Sequence, residues 1–99
     1  MVKHILVWKL KPELSESEKA AAKAKAKAEL EALVGVVPGL ICLNVITDPI
    51  PSSTGDMLLY SELESKEALA GYQVHPAHVA AASFVSSVVC DRSCADLEC

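Results

Sequence analysis

The sequence contains neither an excess of basic residues nor a long apolar run. Its 99 residues include nine Lys and Arg against thirteen Asp and Glu, which gives a formal net charge of −4. Nucleic-acid binding requires clustered lysine and arginine that displace counterions from phosphates, so the composition argues against a nucleic-acid partner. No stretch approaches the roughly 18–20 consecutive apolar residues that span a bilayer, and we expect no membrane partner.

Several motifs of secreted proteins and of enzymes are also missing. The chain enters a strand-like pattern at Val2 without the charged start, apolar run and small-residue cleavage site of a signal peptide, which predicts a cytoplasmic location. The four glycines are scattered, so there is no glycine-rich phosphate loop, and no G-x-S-x-G nucleophile motif occurs. Nothing in the sequence indicates a cofactor.

The cysteines do not form a recognisable metal or disulfide motif. Three residues separate Cys90 from Cys94 and four separate Cys94 from Cys99, whereas zinc knuckles use C-x2-C spacing. His75 and His78 are three residues apart, but His75 precedes the predicted helix and no carboxylate neighbours the pair. We therefore expect reduced thiols and no bound metal.

The chain is strongly apolar for its length, with 52% hydrophobic residues and a mean hydropathy of +0.32. Ninety-nine residues suit one domain, residues 1–99. A domain of this size hides only about 60–70% of the surface that its unfolded chain exposes. An apolar pocket or a subunit interface is needed to take up the remaining apolar surface, and we favour the interface.

Periodicity and turn signals predict four strands and two helical regions. Ser15 and Glu18 form a capping box that begins the first helix, and Gly35 is a plausible stop. Pro76 suits the first position of a later helix. The predicted strands cover residues 2–10, 40–47, 57–63 and 87–96, and the predicted helices cover 15–34, 66–72 and 76 to 84–86.

The order of these elements is β-α-β-β-α-β, with the second helical region divided in two. It predicts an α+β, ferredoxin-like domain in which an antiparallel four-stranded sheet carries helices on one face. The strand over 40–47 is apolar on both faces, and an uncovered apolar sheet face of this size is unusual on a monomer. We therefore expect a homodimer in which two open sheet faces pack together as a dimeric α/β barrel.

The residues that suit chemistry are concentrated at 72–79. His78 lies in the first turn of the predicted helix, where the helix dipole disfavours imidazolium and leaves a neutral base. Tyr72 ends the preceding helix and could polarise a substrate carbonyl. His4 and His75 are candidate substrate-binding residues, although His75 also suits a helix cap and His4 an ordinary interior histidine.

At these residues the sequence resembles the stress-responsive A/B barrel (Dabb) family over nearly its whole length. The matching segments are VKHILVWKL at 2–10, PG at 38–39, SELES at 61–65, YQVHPAHV at 72–79 and VVCDR at 88–92. The family includes a plant polyketide cyclase that closes its substrate by aldol condensation. The resemblance implies a dimer, catalytic roles for Tyr72 and His78, and a pocket position for His4. Met57 departs from it, since the cyclase has a histidine there.

Three functions follow as hypotheses. The first is a homodimer that holds a small, largely apolar molecule in a cavity between sheet and helices. The second is a cofactor-free lyase or cyclase, similar to a polyketide cyclase, in which His78 is the general base and Tyr72 polarises a carbonyl. The third is a stress-protective structural oligomer without a working cavity.

Overall fold

The computed structural model describes all 99 residues and has the element order β-α-β-β-α-α-β. The elements are β1 (Val2–Leu10), α1 (Glu16–Glu31), β2 (Leu40–Ile46), β3 (Met57–Leu63), α2 (Lys66–Val74), α3 (Pro76–Val88) and β4 (Val89–Glu98). The predicted α+β order is confirmed, including the division of the second helical region at Pro76. None of the three helices is both long enough and apolar enough to cross a membrane.

The four strands form one antiparallel sheet in the order β2-β3-β1-β4. This order confirms the ferredoxin-like prediction. Successive side chains of a strand point to opposite faces, and on β1 the even-numbered residues are buried under the helices. The same face of β3 carries the odd-numbered residues, because Leu6 is paired with Leu59. The core thus lies between this face and the helical layer.

Helix α1 packs closely on the sheet through a narrow stripe. The predicted capping box is present, since the Ser15 hydroxyl accepts from the Glu18 amide and the Glu18 side chain accepts from the Ser15 amide. Ala26 is completely buried and Leu30 nearly so. The helix ends at Glu31, earlier than the predicted 34, and turns follow. Gly35 has a φ of +88°, a left-handed conformation that a helix cannot continue through.

The last strand begins and ends later than predicted. Helix α3 continues to Val88, and β4 covers Val89–Glu98 rather than 87–96. Val85 is buried and Val88 is half-buried, and Val88 lines a surface depression with Ala22 of α1 and Phe84 of α3. The strand extends to Glu98 because β1 begins at Val2, and these two residues are paired in the ladder. Helix α2 is also two residues longer than predicted, ending at Val74.

The second face of the sheet is covered by no helix, and we call it the open face. Its centre is apolar, with Ile5 and Val7 on β1, Leu58 on β3 and Ile46 on β2; Ile46 is 37% exposed. Charged residues lie at the two ends of this face, including Lys3 beside Glu62 and Lys9 beside Asp91. An apolar centre with a polar rim is the usual composition of a protein interface.

Candidate functional site

A cavity of about 100 Å³ lies between the sheet and helices α2 and α3. Three of the four candidate residues, His4, Tyr72 and His78, line it. Its apolar wall consists of Leu6, Trp8, Leu30, Leu59, Ala82, Val85 and Val89, and its other polar residues are Gln73, Ser86 and Arg92. A larger groove of about 580 Å³ beside α1 is lined mainly by charged residues and contains no histidine or tyrosine. The candidate chemistry therefore belongs to the smaller cavity.

His4 reaches the cavity because it is an even-numbered residue of β1 and faces the helices. Its side chain is only 2% exposed, and its Nδ1 is hydrogen-bonded to the Asp96 carboxylate on β4. A carboxylate only accepts, so Nδ1 is the donor in this hydrogen bond. His4 is therefore both a satisfied interior histidine and a lining residue of the cavity.

Tyr72 is the most buried aromatic residue of the site, with 1% of its surface exposed. Its ring meets His4 edge-on, with 6.0 Å between the ring centroids. The phenolic hydroxyl is buried and has no hydrogen-bond partner. Burial raises the pKa of Tyr72 to about 12, so the phenol remains protonated at neutral pH. The site thus contains an O–H donor that no protein group uses.

His78 lies beside Tyr72 on the next helix, with 4.2 Å between the two ring centroids. Its Nδ1 is 3.3 Å from the Gln73 carbonyl oxygen, to which it donates, and Nε2 is left as the acceptor. Burial lowers the pKa of His78, and the Gln73 carbonyl partly opposes this. The direction agrees with the sequence-based expectation, and burial is the largest cause of the shift. His78 is therefore a neutral base near pH 7.

His75 does not line this cavity. Its Nδ1 accepts a hydrogen bond of 3.1 Å from the Ala77 amide, so it caps α3. Its side chain lies instead beside a surface depression that includes Pro38, Gly39 and Glu64. The structure therefore places His75 in its capping role and gives no contact with the other candidate residues. His75 thus lies outside the cavity, and its predicted substrate-binding role stays a prediction.

Two charged neighbours of the site were not singled out from the sequence. Asp96 is opposite His4 in the β1–β4 ladder, and Arg92 is opposite Trp8. Both belong to the face of β4 that points toward the helices, as the two-residue alternation of a strand requires. The alternation places them on a common face, but only the register between the first and last strands places them beside particular partners.

Fold and cavity together define a class of protein: a ferredoxin-like α+β domain with a mostly apolar cavity under its helices. The chain belongs to the stress-responsive A/B barrel (Dabb) family, whose model matches residues 2–99. No curated protein matches the chain. The resemblance to this family, first seen in strand β1 and in the segment 72–79, is thus confirmed.

Solved structures show the same fold. A dimeric protein of unknown function from Bacteroides fragilis, described as ferredoxin-like, is 31% identical, with a TM-score of 0.91 and coverage of 98% of this chain and 94% of the other. A protein from Arabidopsis thaliana is 25% identical, with a TM-score of 0.78 and coverage of 99% and 94%. A protein from Nitrosomonas europaea described as a putative antibiotic biosynthesis monooxygenase is 13% identical, with a TM-score of 0.76 and coverage of 99% and 97%. The last likeness concerns the fold alone.

Proposed function

We propose that the chain forms a homodimer and that each subunit binds a small, largely apolar molecule carrying one hydrogen-bond-accepting oxygen. The observation that carries this proposal is the buried, unpartnered hydroxyl of Tyr72. Leaving such a group without a partner costs about 1–3 kcal/mol. A ligand oxygen that accepts from Tyr72 removes this cost, whereas a wholly apolar ligand does not.

The size and lining of the cavity limit the ligand. Its volume of about 100 Å³ is smaller than the engineered apolar cavity of about 150 Å³ that accepts benzene. The mostly apolar wall favours a hydrocarbon ring or short chain, and His78 is a half-buried residue of its lining. A small ring with a carbonyl group fits this description. Larger molecules require His78 or Gln73 to move.

The open face supports the dimer. Its apolar centre of Ile5, Val7 and Leu58 is only partly buried in a single chain, while its charged ends suit the rim of an interface. The similar Bacteroides fragilis protein is described as dimeric. A second copy of this chain presents the same apolar centre, so two-fold pairing removes both from water. The cavity lies on the opposite side of the sheet and remains accessible.

Cyclopentanone is a suitable probe, because it combines a small apolar ring with one carbonyl oxygen. We expect it to shift the NMR signals of Tyr72, His78 and Ala82, with weak binding in about the millimolar range. Signals of the open face, such as those of Ile5 and Leu58, should not move. Shifts confined to the protein surface, or no shifts at all, would contradict the proposal and favour a purely structural oligomer.

A second candidate function is a cofactor-free lyase or cyclase, favoured by the neutral His78 beside the Tyr72 donor. In this reaction His78 Nε2 removes a proton from the carbon next to a carbonyl, and the carbonyl oxygen accepts from Tyr72 as it gains negative charge. The enolate carbon then attacks a second carbonyl carbon of the same substrate, the electron pair of that C=O bond moves to its oxygen, and His78 delivers the proton to this oxygen. Both candidates use the Tyr72 donor, and they differ in whether proton transfer and carbon–carbon bond formation follow binding.

A further inference from the structure

Three metal-binding side chains meet at the edge of the sheet. His4 Nδ1, Cys94 Sγ and an Asp96 carboxylate oxygen all lie within 4.8 Å of one another. Cys94 and Asp96 are alternate residues of β4 and share a face, and Asp96 is directly paired with His4 in the ladder. The backbone register therefore brings the three together. The sequence-based expectation was no bound metal, since no spacing motif indicates this cluster when residues 4 and 94 lie at opposite ends of the chain.

The distances suit a transition metal after a small adjustment. Zinc bonds of 2.0–2.3 Å in a tetrahedral arrangement place ligand atoms roughly 3.3–3.8 Å apart. Cys94 Sγ is 4.0 Å from His4 Nδ1, slightly beyond that range. The His4–Asp96 pair is closer, because the two share a hydrogen bond. A metal ion would replace the shared proton and move the carboxylate outward, which the exposed Asp96 side chain permits.

The donor set and its exposure indicate the class of ion. Imidazole nitrogen, thiolate sulfur and carboxylate oxygen suit Zn²⁺ and Co²⁺, whereas Mg²⁺ and Ca²⁺ prefer oxygen alone. Cys94 and Asp96 are exposed, so an ion can enter from solvent and keep one open position. Arg92 is the one cation on the same face of β4, and the thiolate and carboxylate together outweigh its charge. The cluster lies on the face opposite the proposed dimer interface.

We propose that His4, Cys94 and Asp96 bind one Zn²⁺ ion, or a similar transition-metal ion, per chain. This site shares His4 with the proposed ligand cavity, but it uses Nδ1 of His4 together with Cys94 and Asp96, which do not line the cavity. The fourth ligand is water. Metal binding requires the Asp96 side chain to move but leaves the backbone of the fold unchanged.

Cobalt titration of the metal-free, reduced protein tests the proposal. We expect one equivalent of Co²⁺ to produce a sulfur-to-cobalt charge-transfer band that Zn²⁺ removes by displacement. Cys94→Ser should abolish the band and weaken Zn²⁺ binding by more than about 100-fold, since a lost ligand costs more than a lost outer partner. Asp96→Asn should keep the band and weaken binding. Cys90→Ser and Asp91→Asn on the same strand are the matched controls and should behave as the wild type.

Two outcomes would overturn this site. One is the absence of a charge-transfer band at stoichiometric Co²⁺ in the folded wild-type protein. The other is a band that survives Cys94→Ser, which would place the cobalt on Cys42, Cys90 or Cys99. Both substituted residues are exposed, and a circular dichroism spectrum equal to that of the wild type establishes that the variants fold. Neither outcome affects the cyclopentanone experiment, which depends on Tyr72.

Discussion

Tyr72 and His78 lie on different helices, yet their rings are only 4.2 Å apart at a tilt of 43°. The chain changes direction between them at His75, whose φ of −64° and ψ of 133° are extended and not helical. Pro76 disfavours a helical conformation for the residue before it, which ends α2 and starts α3 at a new angle. A short sequence with a proline thus places a proton donor beside a neutral base.

Replacing Tyr72 by Phe removes the unpartnered hydroxyl and keeps the ring. We expect Tyr72→Phe to be as stable as the wild type or about 1 kcal/mol more stable, because no protein hydrogen bond is lost. Tyr60→Phe is the matched control; its hydroxyl donates to Glu62 at 2.5 Å, and its loss should destabilise slightly. Urea unfolding measures both. A Tyr72→Phe variant destabilised by more than about 1 kcal/mol would mean that the hydroxyl has a structural partner.

The protonation of His78 should depend on its burial. Because burial lowers its pKa from the ordinary 6.5, the unfolded chain binds more protons than the folded chain just below pH 6.5. The contribution of His78 to stability is therefore complete above that pH and is lost as the pH falls through the folded pKa. An NMR titration of the three histidine rings should place His78 below 6.5. A value at or above 6.5 would remove the argument for a neutral base.

Proton transfer can be detected without knowing the natural substrate. If the second candidate function is correct, the chain should accelerate exchange of the cyclopentanone α-protons with D₂O, and His78→Gln should slow this exchange by about 10²–10⁴-fold. His75→Gln is the control, since His75 caps α3 away from the cavity. NMR integration of the α-proton signal gives the rate. Equal exchange by wild type and His78→Gln would exclude His78 as the base.

Dimer formation should depend on the centre of the open face. Ile5 is paired with Tyr60 on one side and Ala95 on the other, so Ile5→Lys places a charge where two sheets would meet. We expect the dimer to weaken by at least about 100-fold, since an unpaired buried charge costs several kcal/mol. Val79→Lys on α3, where Val79 is 48% exposed, should have no effect. Sedimentation of the wild type at the 10.5 kDa of one chain would contradict the dimer.

Local signals were sufficient for most of the fold. The capping box at Ser15 and the turn residues around β3 gave correct element types, and β1 and β3 were predicted with their observed bounds. Boundaries were less accurate where apolar residues suit either structure, as at Val88, which continues a helix and lies beside Ala22 of α1. Whether such residues form a helix or a strand depends on the structure that surrounds them, which local periodicity does not describe.

The site could be predicted only in part for the same reason. The motif at 72–79 brings Tyr72 and His78 together through a local change of direction, so their proximity could be expected from the sequence. The pairing of His4 with Asp96 depends instead on the β1–β4 register, which spans 92 residues. The sequence position of His75 is compatible with a helix cap and with a place in the cavity. Only the orientation of its ring in the structure distinguishes these two possibilities.

The proposed ligand binding depends most on the Tyr72 hydroxyl, which donates to the ligand oxygen. The direct measurement is the dissociation constant of cyclopentanone for the wild type, Tyr72→Phe and Tyr60→Phe, determined by NMR titration. We expect Tyr72→Phe to bind about tenfold more weakly, equivalent to one buried hydrogen bond of about 1.4 kcal/mol, and Tyr60→Phe to bind as the wild type does. Equal affinities of Tyr72→Phe and the wild type would show that the hydroxyl takes no part in binding.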